Sequence, residues 1–169
     1  MQTFLPYTNY TLSAACLDSK RLGKQRVECM QIHKALCRSN SHSEIISNSI
    51  SKAWINHPAT LMWKDYIPQL VEYSQAMMYQ WEVVRGYSNL LCWMYFSRQE
   101  HYIHSYNEDR LNASGDYPPV PKHELPHWLT EEFILSHRSN LLRKNPEHYG
   151  VYFPNVPNDL PYIWPVSKM

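Results

Sequence analysis

Glycine is almost missing from this chain: there are four in 169 residues. That excludes the Gly-rich loops that cradle phosphates in P-loop and dinucleotide-binding folds. Cysteine is as sparse, and Cys16, Cys29, Cys37 and Cys92 form no CxxC pair. The thiols therefore read as reduced and mostly buried, in a cytosolic or nuclear protein, or in the host-cell cytoplasm or nucleus for a viral one. A zinc site is disfavoured too, because His101 and His104 have no acid or Cys at ligand spacing. No cofactor or metal is expected. No apolar run approaches the ~20 residues that cross a bilayer. Met1-Gln-Thr-Phe-Leu-Pro has no basic stretch leading into an apolar one, so neither a signal peptide nor membrane association is expected. Alternating runs bounded by turns are also missing, which argues against strands. Net charge is only +1, modest for a nucleic-acid binder.

What is present is helical punctuation. Thr11 or Ser13 is placed to cap a short helix reaching Leu17, and Asp18 a long one to about Arg38. Ser- and Asn-rich 39–51 reads as a flexible loop. Pro58 sits in the first turn of a third helix, and Pro68 opens a fourth that ends near Gly86. A fifth, very aromatic helix spans 88–111. A Pro-rich connector follows over 113–127, and Thr130 caps a last helix over 131–144. The tail 145–169 is irregular, yet its spaced Tyr149, Phe153, Leu160, Tyr162 and Trp164 predict that it packs along the body. The pattern predicts a single all-α domain over 1–169, a bundle of five to six helices with extended N- and C-terminal arms, and a monomer.

Charge is concentrated rather than abundant. Lys20, Arg21, Lys24, Arg26, Lys34 and Arg38 surround one acid, Glu28. At about 100° per residue, Arg21, Lys24, Gln25 and Glu28 share a helical face that continues into apolar Ile32 and Ala35. A lone carboxylate where a cationic face enters a core is open to tuning for proton transfer. The same spacing also allows a plain Lys24–Glu28 pair at i,i+4. A second basic group, Arg138, Arg143 and Lys144 beside His137, offers phosphate contacts, although Arg138 and Lys144 do not share a face. Asn56 suits a base edge or a helix cap, His57 a cap or a catalytic group, and Trp164 a stacked base or a packing anchor.

Three segments together resemble a known family. They are Met1-Gln-Thr-Phe-Leu-Pro-Tyr7 with Leu17-Asp18 and Arg21-Leu-Gly-Lys24-Gln25-Arg26-Val-Glu28; Asn56-His57-Pro58 with Met62-Trp63; and Ser136-His137-Arg138-Ser139-Asn140 running through Arg143-Lys144, His148-Tyr149 and Phe153 to Trp164-Pro165. The chain is similar to a bacterial and viral family of small helical proteins described as pyrimidine-dimer DNA glycosylases, themselves distantly similar to the phage pyrimidine-dimer glycosylase/AP lyase. The resemblance implies an all-helical domain whose N-terminal arm lies beside a catalytic Glu and several Arg. It implies duplex DNA with a damaged or modified base as substrate. The α-amine would attack the sugar C1′ and form an imine, with the base extruded.

Carried onto this chain, the resemblance matches Arg26 to a basic position of the phage enzyme's active-site helix; Glu28, from a shifted position, is expected as the acid/base and Met1 or Lys24 as the imine-forming amine. Arg21, Gln25, Arg26, Asn56, His57, His137, Arg138, Arg143, Lys144 and Trp164 would contact DNA. Two positions depart from the phage pattern. Gly23 stands near where that enzyme's Glu falls, with Glu28 about a turn and a half later. Gln2 stands where that enzyme exposes a small residue after its Met is removed, so Met1 is expected to be retained. Two other function classes share these features. One is a non-catalytic nucleic-acid- or protein-binding module on the same scaffold. The other is an N-glycosidase acting on free nucleotides or nucleosides.

Overall fold

A computed structural model describes residues 2–40, 52–96 and 123–165. The fold is all-α, with no strand among the described residues. The helices are α1 (Tyr10–Cys16), α2 (Ser19–Asn40), α3 (Lys52–Ile55), α4 (Pro58–Leu61), α5 (Ile67–Tyr79), α6 (Leu90–Phe96), α7 (Glu131–Lys144) and α8 (Pro146–Gly150). A π-helical turn, Gln80–Val84, prolongs α5. Helix α2 is the mast: it packs chiefly on α5 and also meets α3, α4 and α6. Leu22, Cys29, Ile32 and Leu36 of α2 bury against Leu70, Tyr73 and Met77 of α5, with Trp63, Phe133, Leu141 and Tyr149 completing one core.

The ends of the elements follow local chemistry. Asp18 Oδ1 accepts from the Arg21 amide at 3.0 Å, the expected cap of α2. Thr130 Oγ1 accepts from the Phe133 amide at 3.3 Å and starts α7. His57 Nδ1 accepts from the Ala59 amide at 3.1 Å and starts α4 ahead of Pro58. Gly86 closes the α5 region at φ 70°, a conformation that favours glycine. The cap of α1 differs from expectation. It is Asn9, whose Oδ1 accepts from the Leu12 amide at 3.0 Å, so the helix begins before Thr11. Within the tail, 146–150 is helical instead of irregular, with Asn145 as cap and Pro146 in the first turn. Helix α2 runs to Asn40, past its expected end. The rest of the 39–51 loop, the 88–111 helix beyond Phe96 and the first part of the 113–127 connector lie outside the described residues.

The feature that positions the site is the N-terminal arm. Residues 2–7 are extended and largely buried, so no helix supplies partners for their backbone polar groups, and each must find one elsewhere. The Gln2 carbonyl accepts from Gln25 Nε2 at 2.6 Å, and the Phe4 amide donates to Gln25 Oε1 at 2.8 Å. The Phe4 carbonyl lies 2.8 Å from the Tyr73 hydroxyl. The Leu5 amide donates to His137 Nδ1 at 3.1 Å, and the Pro6 carbonyl accepts from Arg138 Nε at 2.8 Å. Thr3 contributes its side chain, accepting from the Trp63 indole N–H at 3.2 Å. Side chains from α2, α5 and α7 thus stand in for a β-partner.

The C-terminal tail is strapped over the same region. Arg143 donates to the carbonyls of Asn158 and Leu160 at 2.9 and 2.8 Å. The Leu160 amide donates to Ser139 Oγ at 3.0 Å and the Ile163 amide to Ser136 Oγ at 3.4 Å. Tyr162 stacks on His137 with ring centroids 4.7 Å apart. The described part of the tail, 145–165, lies against α7 and His57 through these contacts.

Candidate active site

Helix α2 puts Arg21, Lys24, Gln25 and Glu28 into one cleft of about 110 Å³, as their spacing required. Phe4 of the arm, Lys20 one turn before Lys24, and Lys144 at the end of α7 complete its lining. Lys20, Lys24 and Lys144 are exposed and form the rim, while Phe4 and Gln25 are buried and Glu28 is half-buried.

Gln25 organises the floor. Its amide oxygen accepts from the Phe4 amide and lies 2.7 Å from the Tyr73 hydroxyl. Its amide nitrogen donates to the Gln2 carbonyl and, at 2.8 Å, to Glu28 Oε2. One buried side chain therefore sets both the arm and the carboxylate. The i,i+4 pair between Lys24 and Glu28 does not form; among the described residues, no carboxylate lies within ion-pair distance of Lys20, Lys24 or Lys144. Glu28 instead accepts from Gln25 and from the Gln2 amide.

Burial raises the Glu28 pKa above the ordinary carboxylate value. The positive N-terminus of the chain, the Gln2 amide, Lys24 and Gln25 oppose the rise without cancelling it. Lys144 is held below the ordinary lysine value, first by partial desolvation and then by the charges of Arg21, Arg143 and Lys24. Tyr162 of the tail is raised by burial, with Gln2 opposing the rise and the Glu28 charge adding to it. Met1 lies outside the described residues. Gln2 is inside them, and bond lengths alone keep the amine of the preceding residue within about 4 Å of the Gln2 nitrogen.

The other expected contact residues go elsewhere. Arg21 lines the cleft, but part of its charge is spent on Asp18, which also accepts from the Tyr149 hydroxyl at 2.9 Å. Arg26 points around the helix from this face: it bonds Asn89 Oδ1 at 2.9 Å and lies over the Trp81 ring at 4.8 Å. His137 is fully buried, its pKa lowered to about 3 by desolvation, so it is a neutral acceptor for the Leu5 amide and not a phosphate contact. Arg138 holds the arm at Pro6 and packs over Tyr7 at 5.1 Å. Arg143 holds the tail. His57 caps α4 and meets Trp164 edge-on at 5.7 Å, so both serve packing, while Asn56 beside them is exposed. Lys20 had a signal in the sequence, since it lies at i−4 from Lys24. Phe4, Tyr73 and Tyr162 had none, because only tertiary packing brings them to α2.

The model of the family described as Pyrimidine dimer DNA glycosylase matches residues 1–95. That stretch contains the arm, all of α2 and α5. No curated protein and no solved structure matches the chain.

Proposed function

The chain belongs to the pyrimidine dimer DNA glycosylase family, and we propose that it excises a damaged or modified base from duplex DNA through an imine at its N-terminal amine, with Glu28 as acid/base. The observation that carries this reading is the arm. Residues 2–6 are held by the side chains of Gln25, Trp63, Tyr73, His137 and Arg138, and the clamp ends with the Gln2 amide on the Glu28 carboxylate. A helical protein has no packing need to thread its first residues through its core. Delivering an amine to a carboxylate is a reason to do so.

The chemistry follows from ordinary pKa values. An α-amine, at about 7.7–8.0, is part-neutral near pH 7, whereas a lysine amine, at about 10.4, is charged. The neutral amine attacks C1′ of the lesion's sugar. The C1′–N bond breaks, and the base leaves with the bonding pair and takes up a proton; the C1′–O4′ bond then opens, O4′ taking a proton, as the amine nitrogen's lone pair forms the C1′=N imine. Glu28 takes the proton that the attacking nitrogen must lose, and its raised pKa suits it to hold and return that proton. Loss of a C2′ proton from the imine then breaks the C3′–O bond and leaves a 5′-phosphate end, the lyase step. The cationic rim holds the flanking backbone while the base is extruded.

The test is borohydride trapping on duplexes carrying a cyclobutane pyrimidine dimer or an abasic site, with mass spectrometry to locate the adduct. An adduct at the first residue is expected; one at Lys24 would move the amine to α2. Glu28→Gln is expected to lower excision by at least about a hundredfold, within the range for general acid–base catalysis, with DNA binding retained. Unchanged excision in that variant overturns the role of Glu28.

A further inference from the structure

The rim of the cleft carries more positive charge than the residues around it neutralise. Lys20 and Lys24 come from the start of α2, and Lys144 from the end of α7, far away in sequence. Among the described residues none has a carboxylate at ion-pair distance. Arg21 is partly answered by Asp18, and the one acid in the cleft, Glu28, accepts from Gln25 and the Gln2 amide on the inner side. Gathering like charges costs stability unless something is gained by it; the Lys144 pKa is lowered first by partial desolvation and then by the charges of Arg21, Arg143 and Lys24.

We propose that this rim is a binding site for a phosphomonoester dianion, either a 5′-phosphate end of DNA or the phosphate of a free mononucleotide. Charge selects the class. Three lysines against Glu28 leave about two positive charges, which a phosphomonoester, at about −1.5 to −2 near pH 7, neutralises. A bridging phosphodiester, with one negative charge, leaves a surplus. The cleft, about 110 Å³ and open to solvent, has room for a tetrahedral phosphate. The DNA source rests on the functional reading above, since strand cleavage there leaves such an end; the site itself does not.

The experiment needs no catalysis. Affinity of the full chain is measured at fixed ionic strength for nicked duplexes that carry a 5′-phosphate or a 5′-hydroxyl at the nick. In parallel, a deoxynucleoside 5′-monophosphate is compared with its nucleoside. The terminal phosphate is expected to tighten binding by about tenfold or more, the worth of one or two charge-assisted hydrogen bonds. Lys144→Met and Lys20→Met are expected to shrink that ratio. A preference in the duplex arm identifies a strand end as the ligand, and one in the nucleotide arm a free nucleotide. A ratio under about twofold in both arms overturns the site. Preference for the phosphate together with absent base excision supports the site and refutes the glycosylase reading, so the two failures are distinguishable.

Discussion

At the scale of single residues, the site depends on Gln25 more than on any cation. Its oxygen holds Phe4 and its nitrogen holds Gln2 and Glu28. Gln25→Glu keeps the accepting half and loses the donating half, placing a second carboxyl against Glu28. That variant is expected to lose about 1–3 kcal/mol of stability, the penalty for unpaired buried groups. The acid limb of its pH–activity profile should move to higher pH than in the wild type, because a like charge raises the Glu28 pKa further. An unmoved limb would show that Glu28 is not the titrating base. His137 supplies a second residue-scale prediction. Its folded pKa, about 3, lies below the ordinary 6.5, so the folded state binds fewer protons than the unfolded one. Stability is therefore lost as pH falls from about 6.5 towards 3, at up to ~1.4 kcal/mol per pH unit from this residue. Urea unfolding at pH 7 and pH 5 checks this, with His137→Gln expected to flatten the slope.

At the scale of elements, the close approach of α2 and the π-helical turn explains the glycine at position 23. A Cβ on Gly23 would stand 2.9 Å from Cη2 and Cζ3 of Trp81. Trp81 has little room to yield, being held by Arg26 at 4.8 Å, by Tyr87 at 4.4 Å between ring centroids, and by the Ser88 carbonyl. Gly23→Ala is expected to destabilise by about 1–2 kcal/mol, overpacking exceeding the ~1 kcal/mol gain in helix propensity. In a Trp81→Leu background the same substitution should become neutral or stabilising, a coupling that a double-mutant cycle measures. This contact was invisible in the sequence, where Gly23 and Trp81 are unrelated positions. The helices themselves were legible, because Asp18, Pro58, Thr130 and Gly86 state their boundaries locally. The shared face of Arg21, Lys24, Gln25 and Glu28 was legible for the same reason, as helical spacing needs no tertiary knowledge. What charge could not reveal is which cations are spent inside. Arg138 and Arg143 look like phosphate ligands in the sequence, yet they satisfy carbonyls of an arm and a tail whose course only the fold sets.

At the scale of the whole molecule, that internal spending fixes how binding should respond to salt. Seven cations, Lys20, Arg21, Lys24, Arg26, Arg138, Arg143 and Lys144, stand in or beside the sequence segments that resemble a DNA-binding family. If each met a phosphate, counterion release would give a log–log slope of affinity against salt near −6, at about 0.9 per phosphate. The structure engages Arg26, Arg138 and Arg143 with Asn89 and with backbone carbonyls, and ties part of Arg21 to Asp18. Among the described residues the three lysines of the rim have no carboxylate at ion-pair distance. The expected slope for a duplex is therefore about −3, consistent with a chain whose net charge is only +1. Lys24→Met or Lys144→Met should each make the slope shallower by about one, while Arg26→Met should leave it unchanged and instead lower thermal stability. Titration of a labelled duplex at several salt concentrations decides the matter. A slope near −6, or one sensitive to Arg26, would mean that the arginines leave their internal partners to meet DNA. In that case the arm and tail they hold would loosen on binding, and the clamp that brings the first residue to Glu28 would not survive in the complex.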